Sequence, residues 1–205
     1  NLSKYDLIYA QGLTGHSFLK NSLNVPVLTN LHGFEMFQKA ASKKVKLEQF
    51  LLRPITKKII NSSDYLFSFG GQIDTILNDL NVPEEKILKQ SNGIEKNWIT
   101  NKDIITQPVT TFTFIGRFER RKGIEELTQA LKQISQKLKF QFNFIGPIPE
   151  KNKISDSRIK YFGEIKDQSE IKNILDNSDF LISPSYAEGM PTVILEAMAR
   201  GNAII

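Results

Sequence analysis

"AEGMPTVILEAMARG", residues 187–201, decides how this chain is read. Pro191 suits the first position of a helix, where its missing N–H is not needed. The helix then runs from Thr192 to Arg200 and stops at Gly201, a residue that favours helix ends. Its first turn offers unpaired N–H groups and the positive end of the helix dipole, and both suit an anion. Glu188 stands in the turn before this helix and Glu196 inside it, eight positions apart. A carboxylate one turn beyond an anion site fits a ligand that extends past its anion on both sides. A nucleotide sugar has that shape, with a diphosphate between a ribose and a second sugar.

Outward from this helix, short apolar runs alternate with helical patterns along nearly the whole chain. "DLIYA" (6–10), "PVLTNL" (26–31), "YLFSF" (65–69) and a short "KILKQ" read as strands of the first half. "TFTFIG" (111–116), "FQFNFIG" (140–146), "RIKYFG" (158–163), "DFLISPS" (179–185) and "NAII" read as strands of the second. Helices are expected from about 14 to 21, from 35 to 61 with Pro54 kinking it, over "GGQIDTILNDL", over "GIEELTQALKQISQKL" and from 167 to 177. This alternation predicts parallel sheets covered by helices on both faces, an α/β fold. Residues 92–109, "NGIEKNWITNKDIITQPV", are polar, carry Asn-Gly and Pro and lack periodicity, so a domain junction is placed there. Each half is then part of a doubly wound unit, whose ligands sit beyond the carboxyl ends of the strands.

The composition, with 40% hydrophobic and 24% charged residues, is that of an ordinary soluble domain or pair of domains. With no cysteine there is neither a disulfide framework nor a thiolate metal site, which suits a reducing cytoplasm. No apolar run approaches the ~18 residues of a membrane span, and no signal-peptide pattern opens the chain. The chain is expected to be the central segment of a longer protein. Its formal charge of +5 favours anionic partners without choosing among nucleotides, nucleic acid and acidic lipids.

Two further stretches carry candidate chemistry. In "GRFERRKG" (116–123) Arg117 stands at the carboxyl end of a strand and Lys122 near the start of the next helix. One Arg fork and one Lys point charge make a diphosphate clamp; the alternative is a solvated basic turn. It is not a Walker A loop, and no GxGxxG occurs anywhere, against a standard dinucleotide enzyme. In "NLHGFE" (30–35) His32 lies at a strand's carboxyl end, either facing a ligand or simply structural. His16 reads as a surface or capping residue. Without Asp-x-Asp or a Cys/His cluster, no metal site is expected, and Arg, Lys and helix N-termini must then neutralise a diphosphate.

Taken in order, "LHGFE", "SNGI", "GRFERRKG", "RIKYFGEI" and "DFLISPSYAEGMPTVILEAMARGNAII" resemble glycosyltransferase family 4, the retaining GT-B enzymes. The resemblance implies two Rossmann-like doubly wound domains facing a cleft, both incomplete here. Residues 1–92 would be the C-terminal part of the acceptor-side domain. Residues 93–205 would be the nucleotide-sugar-binding domain, truncated at its C-terminus. By the same resemblance, Arg117 and Lys122 bind the donor diphosphate and Glu196 the ribose hydroxyls. Glu188 lies beside the donor sugar, the segment Gly189, Met190, Pro191 and Thr192 caps sugar and phosphate, and the backbone at Glu164 and Ile165 touches the base. His32 approaches the sugar; Glu188, His32, Arg117 and Lys122 form the catalytic set. The implied function is metal-independent, retaining hexosyl transfer from a nucleotide-diphosphate donor to a glycan or lipid-linked hydroxyl, in polysaccharide or glycolipid biosynthesis. A UDP-sugar is favoured on family grounds, with no cofactor. The resemblance further implies a first-domain glycine loop and a closing helix outside these residues, so residues 1–205 alone are expected to be inactive.

Another nucleotide-sugar enzyme of this architecture, such as a sugar epimerase or a sugar-phosphate isomerase, is the nearer alternative. A non-catalytic basic binding module is the remoter one; no nucleic acid is expected, because most of the aromatics sit in strands instead of among the basic residues. Residues 43–58 carry six basic side chains against Glu48 alone. On an ideal helix Lys43, Lys46, Arg53 and Lys57 fall within roughly 80°, and Ala41, Val45, Leu52, Ile55 and Ile59 on another face. This is either a solvated basic face over a buried one or a surface that meets an anionic membrane at its cytoplasmic side.

Overall fold

In a computed structural model of the chain, residues 4–18, 25–100, 108–134 and 136–205 are described. Two compact units result, one of residues 1–92 with 187–190, the other of residues 93–186 with 191–205.

The first unit holds strands β1 (Ile8–Gln11), β2 (Val27–Asn30), β3 (Tyr65–Ser68) and β4 (Ile87–Lys89) in the order β1-β2-β3-β4, all parallel. Helix α1 (Lys43–Ser62) links β2 to β3, and α2 (Gln72–Asp79) follows β3. Parallel neighbours require such crossovers, and covering helices explain why β2 is buried at every position, Thr29 and Asn30 included. Leu31, Phe34, Ile60, Leu66, Ile73, Ile76 and Leu77 close into one core.

The expected helix from 35 to 61 is two pieces. Glu35–Phe37 forms one 3-10 turn, Gln38 is extended, and α1 starts afresh behind Ser42, whose Oγ accepts from Val45 N at 3.2 Å. The break lets the Gln38 side chain turn inward, where it is buried. Pro54 leaves α1 a single element. The helix expected from 14 to 21 is a 3-10 stretch, Gly12–Phe18; residues 19–21 lie outside the described residues.

The second unit is a five-stranded parallel sheet in the order β7-β6-β5-β8-β9. Its strands are β5 (Thr111–Ile115), β6 (Gln141–Ile145), β7 (Ile159–Gly163), β8 (Phe180–Leu181) and β9 (Ala203–Ile204). Helix α3 (Ile124–Gln133) joins β5 to β6, α4 (Gln168–Asp176) joins β7 to β8, and α5 (Thr192–Ala199) joins β8 to β9. Phenylalanines fill one face: Phe112 stacks on Phe180 at 5.2 Å, and Phe144 on Tyr161 at 4.9 Å. Trp98, from the polar stretch read as a junction, is buried with Leu175, Leu181 and Ala197 on another side. Helix α3 stops before the expected Leu138, because Ile134 turns extended and packs on the phenylalanine core.

Strand order sets where a ligand can bind. From β5 the chain moves outward to β6 and β7, then returns to the opposite side of β5 as β8 and β9. The order therefore reverses between β5 and β8, and the crevice beyond their carboxyl ends is the position such sheets offer to ligands.

Candidate active site

Gly116 and Arg117 leave the carboxyl end of β5. The chain tightens into a 3-10 turn, Arg120–Lys122, and enters α3 through Gly123 in the left-handed conformation. The Lys122 stem runs back beside Gly116, its Cδ 3.9 Å from where a Gly116 Cβ would lie. Arg117 is exposed, its Nε 3.1 Å from Glu119 Oε1. An exposed pair of this kind is worth about 0–1 kcal/mol, so an incoming anion displaces it at small cost.

From the neighbouring β8 the chain continues through Pro184 and Tyr186. Pro191 is the N-cap residue of α5, one position earlier than its sequence placement inside the helix, and no side chain caps that terminus. The N-termini of α1 and α4, in contrast, are capped by Ser42 and Asp167. Glu196 lies one turn into α5 and is half-buried. Burial raises its carboxyl above the ordinary value, with the Lys172 ammonium working against that rise. Ile165 is half-buried and Glu164 exposed, both just past the end of β7. Arg117, Lys122, Ile165, Thr192 and Glu196 thus all belong to the second unit, on loops or helix starts that follow its strands.

The raised carboxyl has a measurable consequence. The folded state holds the Glu196 proton more tightly than the unfolded chain, so its ionisation costs stability as pH rises through the raised value. Glu196→Gln should unfold at a higher temperature than the wild type at pH 8. The gap should close as the pH falls below about 4, the unfolded carboxylate range. A thermal melt series that finds no pH-dependent gap contradicts the burial effect.

His32, Glu188, Gly189 and Met190 group with the first unit. His32 follows β2, is exposed, and has φ 59°, a conformation held by its N–H donating to Asn30 Oδ1 at 2.8 Å. The Gln38 carboxamide grips the Glu188 backbone at both groups: Nε2 donates to Glu188 O at 2.6 Å, and Glu188 N donates to Oε1 at 3.2 Å. The same Nε2 donates to Gly33 O. A side chain on Gly189 would strike His32, with its Cβ 3.0 Å from the carbonyl carbon. Asn92 Nδ2 donates to Met190 O at 2.6 Å. The Glu188 backbone is therefore fixed by Gln38, and Met190 by Asn92.

Sequence reading missed this bracing and a second instance in the other unit. Arg120 forks onto Glu126 at 2.8 and 2.5 Å, and the Tyr186 hydroxyl donates to Glu126 Oε1 at 2.7 Å. Arg120 also lies over the Tyr186 ring at 5.1 Å, and Tyr186 N donates to Arg121 O at 2.8 Å. The Arg120 guanidinium holds the Glu126 carboxyl below its ordinary value. Together these contacts tie the loop after β5 to the loop after β8. No spacing rule joins Arg120 to Tyr186 or Gln38 to Glu188; only the paired arginines of "ERRK", its second and third residues, hinted at more than one role for that turn. Among the described residues no group of three or more His, Asp or Glu side chains could hold a metal ion. No helix among them is long and apolar enough to cross a membrane.

Residues 109–205 match the family described as Glycosyl transferases group 1. A glycosyltransferase of Methanocaldococcus jannaschii, MJ1178, itself uncharacterized, is 28% identical over 206 residues, covering 96% of this chain and 53% of its own. The N,N'-diacetylbacillosaminyl-diphospho-undecaprenol alpha-1,3-N-acetylgalactosaminyltransferase of Campylobacter jejuni is 29% identical over 125 residues, 58% of this chain and 31% of its own. The solved structure of Anabaena HepE in complex with UDP-glucose superposes with a TM-score of 0.69 at 19% identity, covering 99% of this chain and 60% of that one. The chain spans about half the length of the curated relatives it matches, and its fold is GT-B.

Proposed function

We propose, from the match of residues 109–205 to the family described as Glycosyl transferases group 1, that the full-length protein is a retaining, metal-independent glycosyltransferase. It moves a sugar from a nucleotide-diphosphate donor to a glycan or lipid-linked hydroxyl, in polysaccharide or glycolipid synthesis. A UDP-sugar is the favoured donor, in line with the UDP-glucose bound by HepE. The lipid-linked acceptor is in line with the name of the Campylobacter relative. Such an acceptor places the protein at the cytoplasmic face of a membrane, as a peripheral protein.

The observation that carries this reading lies in the second unit. At the reversal of strand order, Arg117 and Lys122 follow β5, and the uncapped start of α5 follows β8. Two cations and a helix N-terminus oppose the negative charge that grows on the diphosphate as the glycosidic bond breaks. Ile165 supports the base. Gly189, Met190, Pro191 and Thr192 supply backbone groups to sugar and phosphate. Glu188 and His32 serve the sugar, where positive character develops.

The two glutamates give the test. Glu196 accepts from ribose hydroxyls equally in the bound donor and in the transition state, so its contribution is uniform binding. Glu196→Gln should weaken free nucleotide diphosphate by about 1.5–3 kcal/mol and raise the donor KM. Glu188→Gln should depress kcat more than KM and leave nucleotide affinity nearly unchanged. Calorimetric titration of UDP, GDP and ADP, beside steady-state kinetics in excess EDTA, reads both outcomes. Equal loss of nucleotide affinity in the two variants defeats the division of labour. Turnover abolished by EDTA and restored by Mn²⁺ or Mg²⁺ defeats the metal-independent mechanism.

A further inference from the structure

Helix α1 turns large apolar side chains toward solvent. Leu47, Phe50 and Leu51 are 61%, 65% and 66% exposed. Their i, i+3, i+4 spacing puts them within an arc of about 100° on a helix. The residues α1 buries against its own unit, Gln49, Thr56, Ile59 and Ile60, lie on the opposite side. The face predicted to be buried is only partly so: Ala41 and Ile59 are buried, while Leu52 is exposed. Packing within the unit therefore does not account for the outward patch, and single scattered leucines would be ordinary where three contiguous large side chains are not.

Charge selects the occupant. By the same helical geometry Lys43 and Lys58 share the outward arc, one toward each end of the helix, with Lys44, Lys46 and Lys57 along its borders. Lys44 makes only a 3.9 Å pair with Glu48, and both side chains are exposed. A second copy docked face to face would set lysines against lysines. Nucleic acid would use the lysines and leave the leucines wet. An anionic bilayer takes both, because apolar side chains enter the boundary between headgroups and acyl chains while flexible lysine stems reach the phosphates.

We propose that α1 docks the full-length protein on an anionic lipid bilayer. Leu47, Phe50 and Leu51 enter the interface, and Lys43, Lys44, Lys46, Lys57 and Lys58 contact the headgroups. The inference rests on the peripheral, lipid-linked reading given above, and nucleotide binding, in which α1 has no assigned part, separates the failure of one from the failure of the other.

The experiment is co-sedimentation of the full-length protein with phosphatidylglycerol–phosphatidylcholine vesicles and with phosphatidylcholine vesicles, at low and high NaCl. The wild type should bind the anionic vesicles, weaken with salt, and bind the zwitterionic ones at least about tenfold more weakly. Changing Leu47, Phe50 and Leu51 together to serine should lower partitioning at least about tenfold. Reversing Lys43, Lys44 and Lys46 to glutamate should cost roughly fivefold or more per position. All these positions are exposed, and an unchanged circular-dichroism melt certifies each variant as folded. Absent vesicle binding, equal binding to both vesicle types, or binding indifferent to the serine variant overturns the proposal. So does a self-association in sedimentation velocity that the serine variant abolishes, which would assign the face to a second copy. Vesicle binding lost with UDP binding intact in the wild type sinks the docking alone; the reverse pattern sinks the donor reading alone.

Discussion

Alanine at Arg117 or at Lys122 is expected to lower kcat/KM of the full-length enzyme by about 10² to 10³, the usual loss when one group that stabilises developing charge is removed. In the proposed reaction the leaving diphosphate gains negative charge as the sugar departs, and these two side chains follow the strand next to the reversal of strand order. Each should act mainly on kcat, since the interaction strengthens with the charge. Folding should be little affected at Arg117, whose exposed pair with Glu119 is weak. Steady-state kinetics with a thermal melt on each variant checks this. A change below threefold in both would remove them from the mechanism.

The second large effect concerns stability. Gly123→Ala should cost roughly 3 kcal/mol or more, in the range reserved for backbone conflicts. Gly123 has φ 68°, where a residue with a Cβ loses about 1–2 kcal/mol. The added Cβ would also overlap Pro184 O and lie 2.8 Å from its carbonyl carbon. Pro184 cannot give way easily, because Ser183 N donates to Ile205 O at 2.7 Å and Tyr186 N to Arg121 O at 2.8 Å. Denaturant unfolding measures the loss, with Gly93→Ala as the control, since a Cβ there meets nothing within 4 Å. Equal midpoints for the two variants would contradict the close packing of these loops. The position matters for the site as well: Gly123 directly follows Lys122, so the turn that aims the lysine depends on that contact.

Bracing between loops explains why some of the site was hidden from the sequence. Arg120 reads as one more charge in a basic turn, and Gln38 as an ordinary polar residue near a helix. Each becomes structural only when the fold brings up a distant partner: the Tyr186 ring, whose hydroxyl shares Glu126 with Arg120, in one case, and the Glu188 backbone, 150 positions away, in the other. The continuous helix expected over 35–61 failed for the same reason. Propensity in residues 38–42 permits a helix, and the inward turn of Gln38 outweighs it. At α3 the expected end was too late because Ile134 gains more by joining the phenylalanine core than by extending an exposed turn.

Local chemistry by itself determined the alternation of strands and helices, since buried parallel strands must be apolar runs and the helices over them must be amphipathic. It also determined the punctuation around Pro191 and Gly201, because those residues restrict the backbone wherever they stand. Tertiary structure alone decided the strand order that reverses between β5 and β8, the burial that raises the Glu196 carboxyl, and the side of α1 left outside. Each of those depends on which surfaces meet, and hydrophobic burial and desolvation are properties of meeting surfaces, which no periodicity along a single chain encodes.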